Sequence, residues 1–73
     1  MFGIGKKRTK FGKWIDKKGI KQIELEEAAN LGRATVSNMC NDKDYKPKFS
    51  TFAKLQKGLK KMGYNVEYHD FWM

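Results

Sequence analysis

The chain is poor in the residues on which many small proteins depend. It has a single cysteine, Cys40, so no internal disulfide can form and nothing points to a cross-linked, secreted scaffold. Its single histidine, His69, has no ligating neighbours that would make a metal site with it. No run approaches the roughly 18 apolar residues of a membrane span. The N-terminal stretch lacks the apolar core of a signal peptide, so a cytoplasmic protein is expected. No nucleophile–base pair, metal cluster or glycine-rich phosphate loop is visible. An enzyme is therefore not expected, nor any cofactor. Acids are scarce too: eight Asp and Glu stand against sixteen Lys and Arg, a formal charge of +8.

What is present fits one small domain. Seventy-three residues with 40% apolar and 14% aromatic content can pack one core. An excess of positive charge on so short a chain points to an anionic partner, nucleic acid before a membrane surface. Mere solubility is the bland alternative. The charge is uneven. Residues 1–21 hold eight of the bases and only Asp16 as an acid, whereas residues 22–31 hold Glu24, Glu26 and Glu27 and no base.

Residues 1–8 read as a flexible basic arm and residues 9–73 as the folded domain. Thr9 can cap a first helix in which Phe11, Trp14 and Ile15 form a buried stripe. Lys17 and Lys18 suit its last turn, Gly19 its left-handed end, and Ile20 folds back onto it. Gly12 counts against this helix. A second helix is expected from about Lys21 to Ala29, with Leu25, Ala28 and Ala29 inward and Asn30 as its left-handed stop. A third covers Arg33 to Asn41, capped by Gly32, with Val36, Met39 and Cys40 inside. Cys40 there is a small core residue. Around Lys46-Pro47 the chain is a loop, after which Ser50 or Thr51 caps a fourth helix. Phe52, Leu55, Leu59 and Met62 are its apolar stripe, its lysines are the wet side, and Gly63 ends it. The tail reads either as a short strand through Tyr64, Val66 and Tyr68 or as a closing turn of helix at His69–Trp72. The helix is favoured, since a lone strand has no partner. Phe11, Trp14, Phe52, Phe71 and Trp72 are expected in the core.

A helix that stops at a tight turn and is followed at once by another short helix is a helix-turn-helix unit. The third helix carries one apolar stripe, and the residues opposite it, Arg33, Ala34, Ser37 and Asn38, form a coherent set for reading base edges in double-stranded DNA. Arg can pair with guanine and Asn with adenine, while a methyl group can meet thymine.

The run "GIKQIELEEAANLGRATVSNMCND", continued by "KPKFSTFAKLQKGLKKMG", resembles the phage-repressor-like (Cro/repressor, or Xre) helix-turn-helix proteins. Gln22, Glu24 with Leu25, Ala29, Leu31, Gly32 and the string Arg33 to Ser37 carry the likeness. The resemblance implies a λ-repressor-like fold, all-α, with four to five helices. It also implies base contacts from Arg33, Ala34 and Asn38, and phosphate contacts from Gln22, Asn41, Lys46 and Lys48. The chain departs from the pattern at Lys21, where a Ser or Thr cap is usual, and at Asn30, Gly32 and Asp42. Glu26 stands in place of an alanine that packs on the third helix, and would need a partner such as Arg33.

The expected function is a sequence-specific transcriptional regulator, a repressor from a phage or other mobile element, acting as a homodimer at least on DNA. The alternative is a protein-interaction module on the same fold, antitoxin-like or anti-regulatory. A cationic membrane-active peptide is a third class, suggested by residues 1–19 alone. The acidic second helix argues against it. The bland readings are that Arg33 pairs with Glu26 or Glu27, that Asn38 is simply exposed, and that the arm is merely solvated.

Overall fold

A computed structural model of the chain describes residues 8–72. Among them are five helices and no strand: α1 (Lys10–Lys18), α2 (Gln22–Ala29), α3 (Arg33–Asn41), α4 (Phe49–Lys61) and α5 (His69–Trp72). α2 packs on both α4 and α3, and α1 packs on α3. The expected arm at residues 1–7 lies outside the described residues.

Three of the four reversals, after α1, α2 and α4, are made by one left-handed residue following the helix. Gly19 has φ 73°, Asn30 φ 55° and Gly63 φ 95°. In all three the next residue donates its N–H back into the last turn: Ile20 to Ile15, Leu31 to Glu26 and Tyr64 to Leu59, at 2.9–3.0 Å. This satisfies carbonyls that a helix end leaves open. Asn30 takes the place of glycine because it tolerates this region better than other side chains.

Two helix starts have lysine at the cap position, one where the resemblance puts it and one earlier than expected. α2 begins at Gln22, with Lys21 as its cap residue. Lysine has no acceptor, so only half of a capping box forms, in which the Lys21 N–H donates to Glu24 Oε1 at 2.9 Å. α4 begins at Phe49 and is capped by Lys48, earlier than Ser50 or Thr51. The cause lies in tertiary structure. Pro47 is buried, its carbonyl accepts from the Tyr68 hydroxyl at 3.1 Å, and the chain leaves it already directed into the helix.

The core comprises Phe11, Ile15, Ile20, Leu25, Val36, Met39, Cys40, Phe52, Leu55, Leu59, Val66 and Trp72. Trp14, Met62 and Phe71 pack at its edge, half-buried. The tail closes it as a helical turn. Trp72 lies 5.4 Å from Phe11 and 6.0 Å from Phe52 between ring centroids. Gln56 Nε2 holds the Val66 carbonyl at 2.8 Å.

Two glycines permit contacts that no side chain would. A Cβ on Gly12 would strike the Cys40 carbonyl, and one on Gly58 would lie 2.7 Å from the backbone of Ala29. Gly12 is thus the contact point of α1 with α3, and Gly58 that of α4 with α2. Neither role is visible from the sequence.

Burial pushes the Cys40 thiol from 9.0 up to about 11, with Arg8 opposing the shift. Gly58→Ala should destabilise the fold by about 1–3 kcal/mol through overpacking, although alanine is the better helix former by up to about 1 kcal/mol. Lys57→Ala, on the exposed side, serves as the neutral control in urea unfolding. For Cys40, the native thiol keeps its proton over a pH range in which the unfolded thiol has already lost it. Stability should therefore fall as pH rises from 9.0 to about 11. Urea midpoints measured across that window should drop more for the wild type than for Cys40→Ala.

Candidate nucleic-acid interface

The polar face of α3 follows from its cap and its inner stripe. Gly32, extended at φ −73°, starts the helix, and its carbonyl accepts from the Val36 N–H at 3.1 Å. Val36, Met39 and Cys40 are fully buried, which fixes the rotation of the helix about its axis. Arg33, Ala34, Ser37, Asn38 and Asn41 then fall within an arc of about 140°. Arg33, Ala34, Asn38 and Asn41 are exposed, and Ser37 is half-buried.

Arg33 makes no ion pair with Glu26 or Glu27, so its guanidinium is not held by either acid. Glu26 is half-exposed and has no partner among the described residues, so the expected choice between a buried, costly carboxylate and an Arg33 clamp does not arise. Partial exposure keeps it solvated. This is how a carboxylate can stand where the family prefers alanine.

α3 is held at its far end by the start of α1. The carbonyls of Met39 and Cys40 lie in the last turn of α3 and have no acceptor role within the helix. Thr9 takes both: its hydroxyl donates to Met39 O at 2.6 Å and its N–H to Cys40 O at 2.9 Å. The same hydroxyl accepts from the Gly12 N–H at 2.9 Å, so one buried side chain caps α1 and fastens α3.

Beside it, Arg8 grips Asp16 through two bonds of 3.0 and 2.7 Å and reaches Asn41 Oδ1 at 2.7 Å. Arg8, expected in the arm, thus lies against the folded body at the end of α3. The one acid among the first 21 residues was the signal that could have located its partner. Asn41, expected at phosphate, has its carbonyl occupied by Arg8. Its Nδ2 donates only a long 3.5 Å contact to Ser37 Oγ, so the amide N–H groups face outward with little to hold them.

The other expected phosphate residues sit on separate elements. Gln22 opens α2, half-buried, and its Oε1 is buried without a hydrogen-bond partner among the described residues. Lys46 and Lys48 are exposed in the loop after α3. That loop turns on Asp42, whose side chain accepts from the Asp44 N–H at 2.9 Å and whose carbonyl accepts from the Tyr45 N–H at 3.1 Å. Asp42 here organises the turn through its carboxylate, which the usual glycine could not do. No group of three or more His, Cys, Asp or Glu side chains that could hold a metal ion occurs among the described residues. Nor is any described helix long and apolar enough to cross a membrane.

Comparison with known proteins agrees with this geometry. A family model described as helix-turn-helix matches residues 13–61, from within α1 to the last residue of α4. No curated protein and no solved structure matches the chain.

Because Thr9 satisfies buried groups on two helices, Thr9→Val should cost about 2–3 kcal/mol, leaving the Gly12 N–H and the Met39 carbonyl unpaired. Arg8→Ala, which removes a network open to solvent, should cost less than about 1 kcal/mol. Urea denaturation of the two variants in parallel gives the ranking. A larger loss for Arg8→Ala would show the surface network to be the main fastening of α3.

Proposed function

Because the chain belongs to the helix-turn-helix family, of the phage-repressor-like kind, and this is a family of DNA-binding regulators, we propose that it is a sequence-specific transcriptional repressor. It reads the major groove with α3 as a homodimer on a two-fold symmetric site. The observation that carries this reading is the polar face of α3, where Arg33, Ala34 and Asn38 are exposed and without side-chain partners among the described residues, beside the left-handed turn at Asn30. A helix with its apolar side fully spent on the core and Arg33, Ala34, Ser37 and Asn38 facing outward is equipped for base edges. The Arg33 fork matches guanine O6 and N7, and Asn38 matches adenine N6 and N7. Ala34 offers a methyl-sized apolar contact, and Ser37 can donate or accept. Short side chains at 34 and 37 let the backbone come close to the bases.

Phosphate holding falls to groups around that face. The Gln22 and Asn41 amides and the lysines at 46 and 48 are donors of the right type, and the +8 charge supplies counterion release. Dimerisation follows from arithmetic. One α3 offers about four base-reading residues, too few for a unique site, and a symmetric pair doubles the contacts. Bound over a promoter, such a dimer represses by occupancy, as a phage or other mobile element requires of a small regulator, and it acts in the cytoplasm where that DNA is.

Selection of bound sequences from random DNA should return a palindromic motif with half-sites about one helical turn apart. On that site Arg33→Ala or Asn38→Ala should cost about 1–3 kcal/mol and relax preference at particular base pairs. Lys48→Ala should instead weaken cognate and random DNA alike and reduce the salt slope by about one per contact. If the first two variants keep both affinity and base preference while folded, α3 does not read DNA.

A further inference from the structure

Lys10, Lys13 and Lys17 line one rim of an open groove of about 440 Å³, walled by Trp14, Val66 and Phe71, with Asn65 and Asp70 also lining it. The three lysines are exposed, and none has an acidic partner among the described residues. Asp70 is the one acid of the lining. One of its oxygens is already bonded by the Glu67 N–H at 2.8 Å, and the other lies 3.7 Å from His69 Nε2. Trp14 and Phe71, half-buried with ring centroids 5.5 Å apart, give the groove its apolar surface.

We propose that this groove docks an acidic segment of a partner protein. The segment lies extended, with its acids toward the lysine rim and its aromatic or aliphatic side chains on Trp14 and Phe71, over the buried Val66. Charge and length both select this occupant. The lysines stand three and four residues apart on one side of α1 and span about 10 Å. An extended chain presents same-side residues about 6.8 Å apart, so two acids meet the whole rim. A small single anion would use one lysine and leave the others idle. Lys6 and Lys7, by their sign, do not complement the rim.

The position matters as much as the chemistry. Gly12 faces Cys40 of α3, whereas Lys10 and Lys17 lie about 140–160° around α1 from it and Lys13 about 100°. A partner in the groove therefore sits on the far side of α1 from α3, and both surfaces can be engaged at once. The proposal does not rest on the DNA reading.

The test uses the full chain and a fluorescein-labelled hexapeptide alternating glutamate with phenylalanine and leucine, followed by anisotropy. Saturable binding is expected. It should weaken by about tenfold or more in Lys13→Glu, and again in Lys17→Glu. Both positions are exposed, and circular dichroism confirms that the variants fold. Arg33→Ala should bind the peptide like the wild type. Peptides with glutamine for glutamate, or serine for the apolar residues, should lose binding, since each lacks one half of the match. Equal binding by wild type and Lys13→Glu, or no binding of the acidic–apolar peptide, overturns the proposal. So does displacement by a single-stranded oligothymidylate that itself binds more tightly and shares the Lys13 dependence, because the groove would then be a nucleic-acid track.

Discussion

The fold depends on helix backbones touching. A chain this short has little apolar surface to spend, so its helices must approach closely for a few side chains to form a sealed core. Gly58 against Ala29 and Gly12 against the Cys40 carbonyl are the two places where that approach is made. The first joins α4 to α2 and the second joins α1 to α3. Between them they set the positions of both helices of the helix-turn-helix unit. Gly58 in mid-helix gives up helix propensity, and the gain is recovered in packing between elements.

Around these contacts the polar groups are arranged economically. Thr9 serves the start of α1 and the end of α3 with one hydroxyl and one N–H, and Arg8 ties Asp16 to Asn41 just outside. The result is a third helix anchored at its C-terminal end by hydrogen bonds and along its length by Val36, Met39 and Cys40. Of its outward residues, Asn41 is tied to Arg8 and touches Ser37, while Arg33, Ala34 and Asn38 have no side-chain partner among the described residues.

Much of this was legible in the sequence because it is local. Gly19, Asn30 and Gly63, and Thr9 as the cap of α1, act on neighbours within about one turn, so residue type and spacing revealed them; the hold of Thr9 on α3 is not local and stayed hidden. The same holds for the apolar stripe of α3 and the helical tail. What was hidden depends on contacts across the chain. Lys48 rather than Ser50 or Thr51 caps α4 because Tyr68 holds Pro47. Gly12 looked like a weakness in α1 because its partner, a carbonyl of α3, lies 28 residues away. Arg8 looked like part of the arm because a salt bridge to Asp16 has no periodic signature. Glu26 suggested a buried charge only because a likeness to other sequences says nothing of how exposed this side chain is here. The residues expected at bases, Arg33, Ala34, Ser37 and Asn38, share one face of α3 because their spacing is helical, whereas Gln22, Lys46 and Lys48 lie on α2 and in the loop after α3, which spacing alone does not relate to that face.

The aromatic closure by the tail has a bearing on how the molecule comes into being. Phe11 and Phe52 are covered by Trp72, so the earliest-made and latest-made parts of the described chain complete the same core. On the ribosome, α1 to α4 are all synthesised before the ring that seals them emerges. Until then the nascent chain presents a half-open apolar face, and chaperones or a neighbouring nascent chain have their chance to meet it. Closure of the described core therefore waits for the synthesis of Trp72, not for the formation of the helices before it.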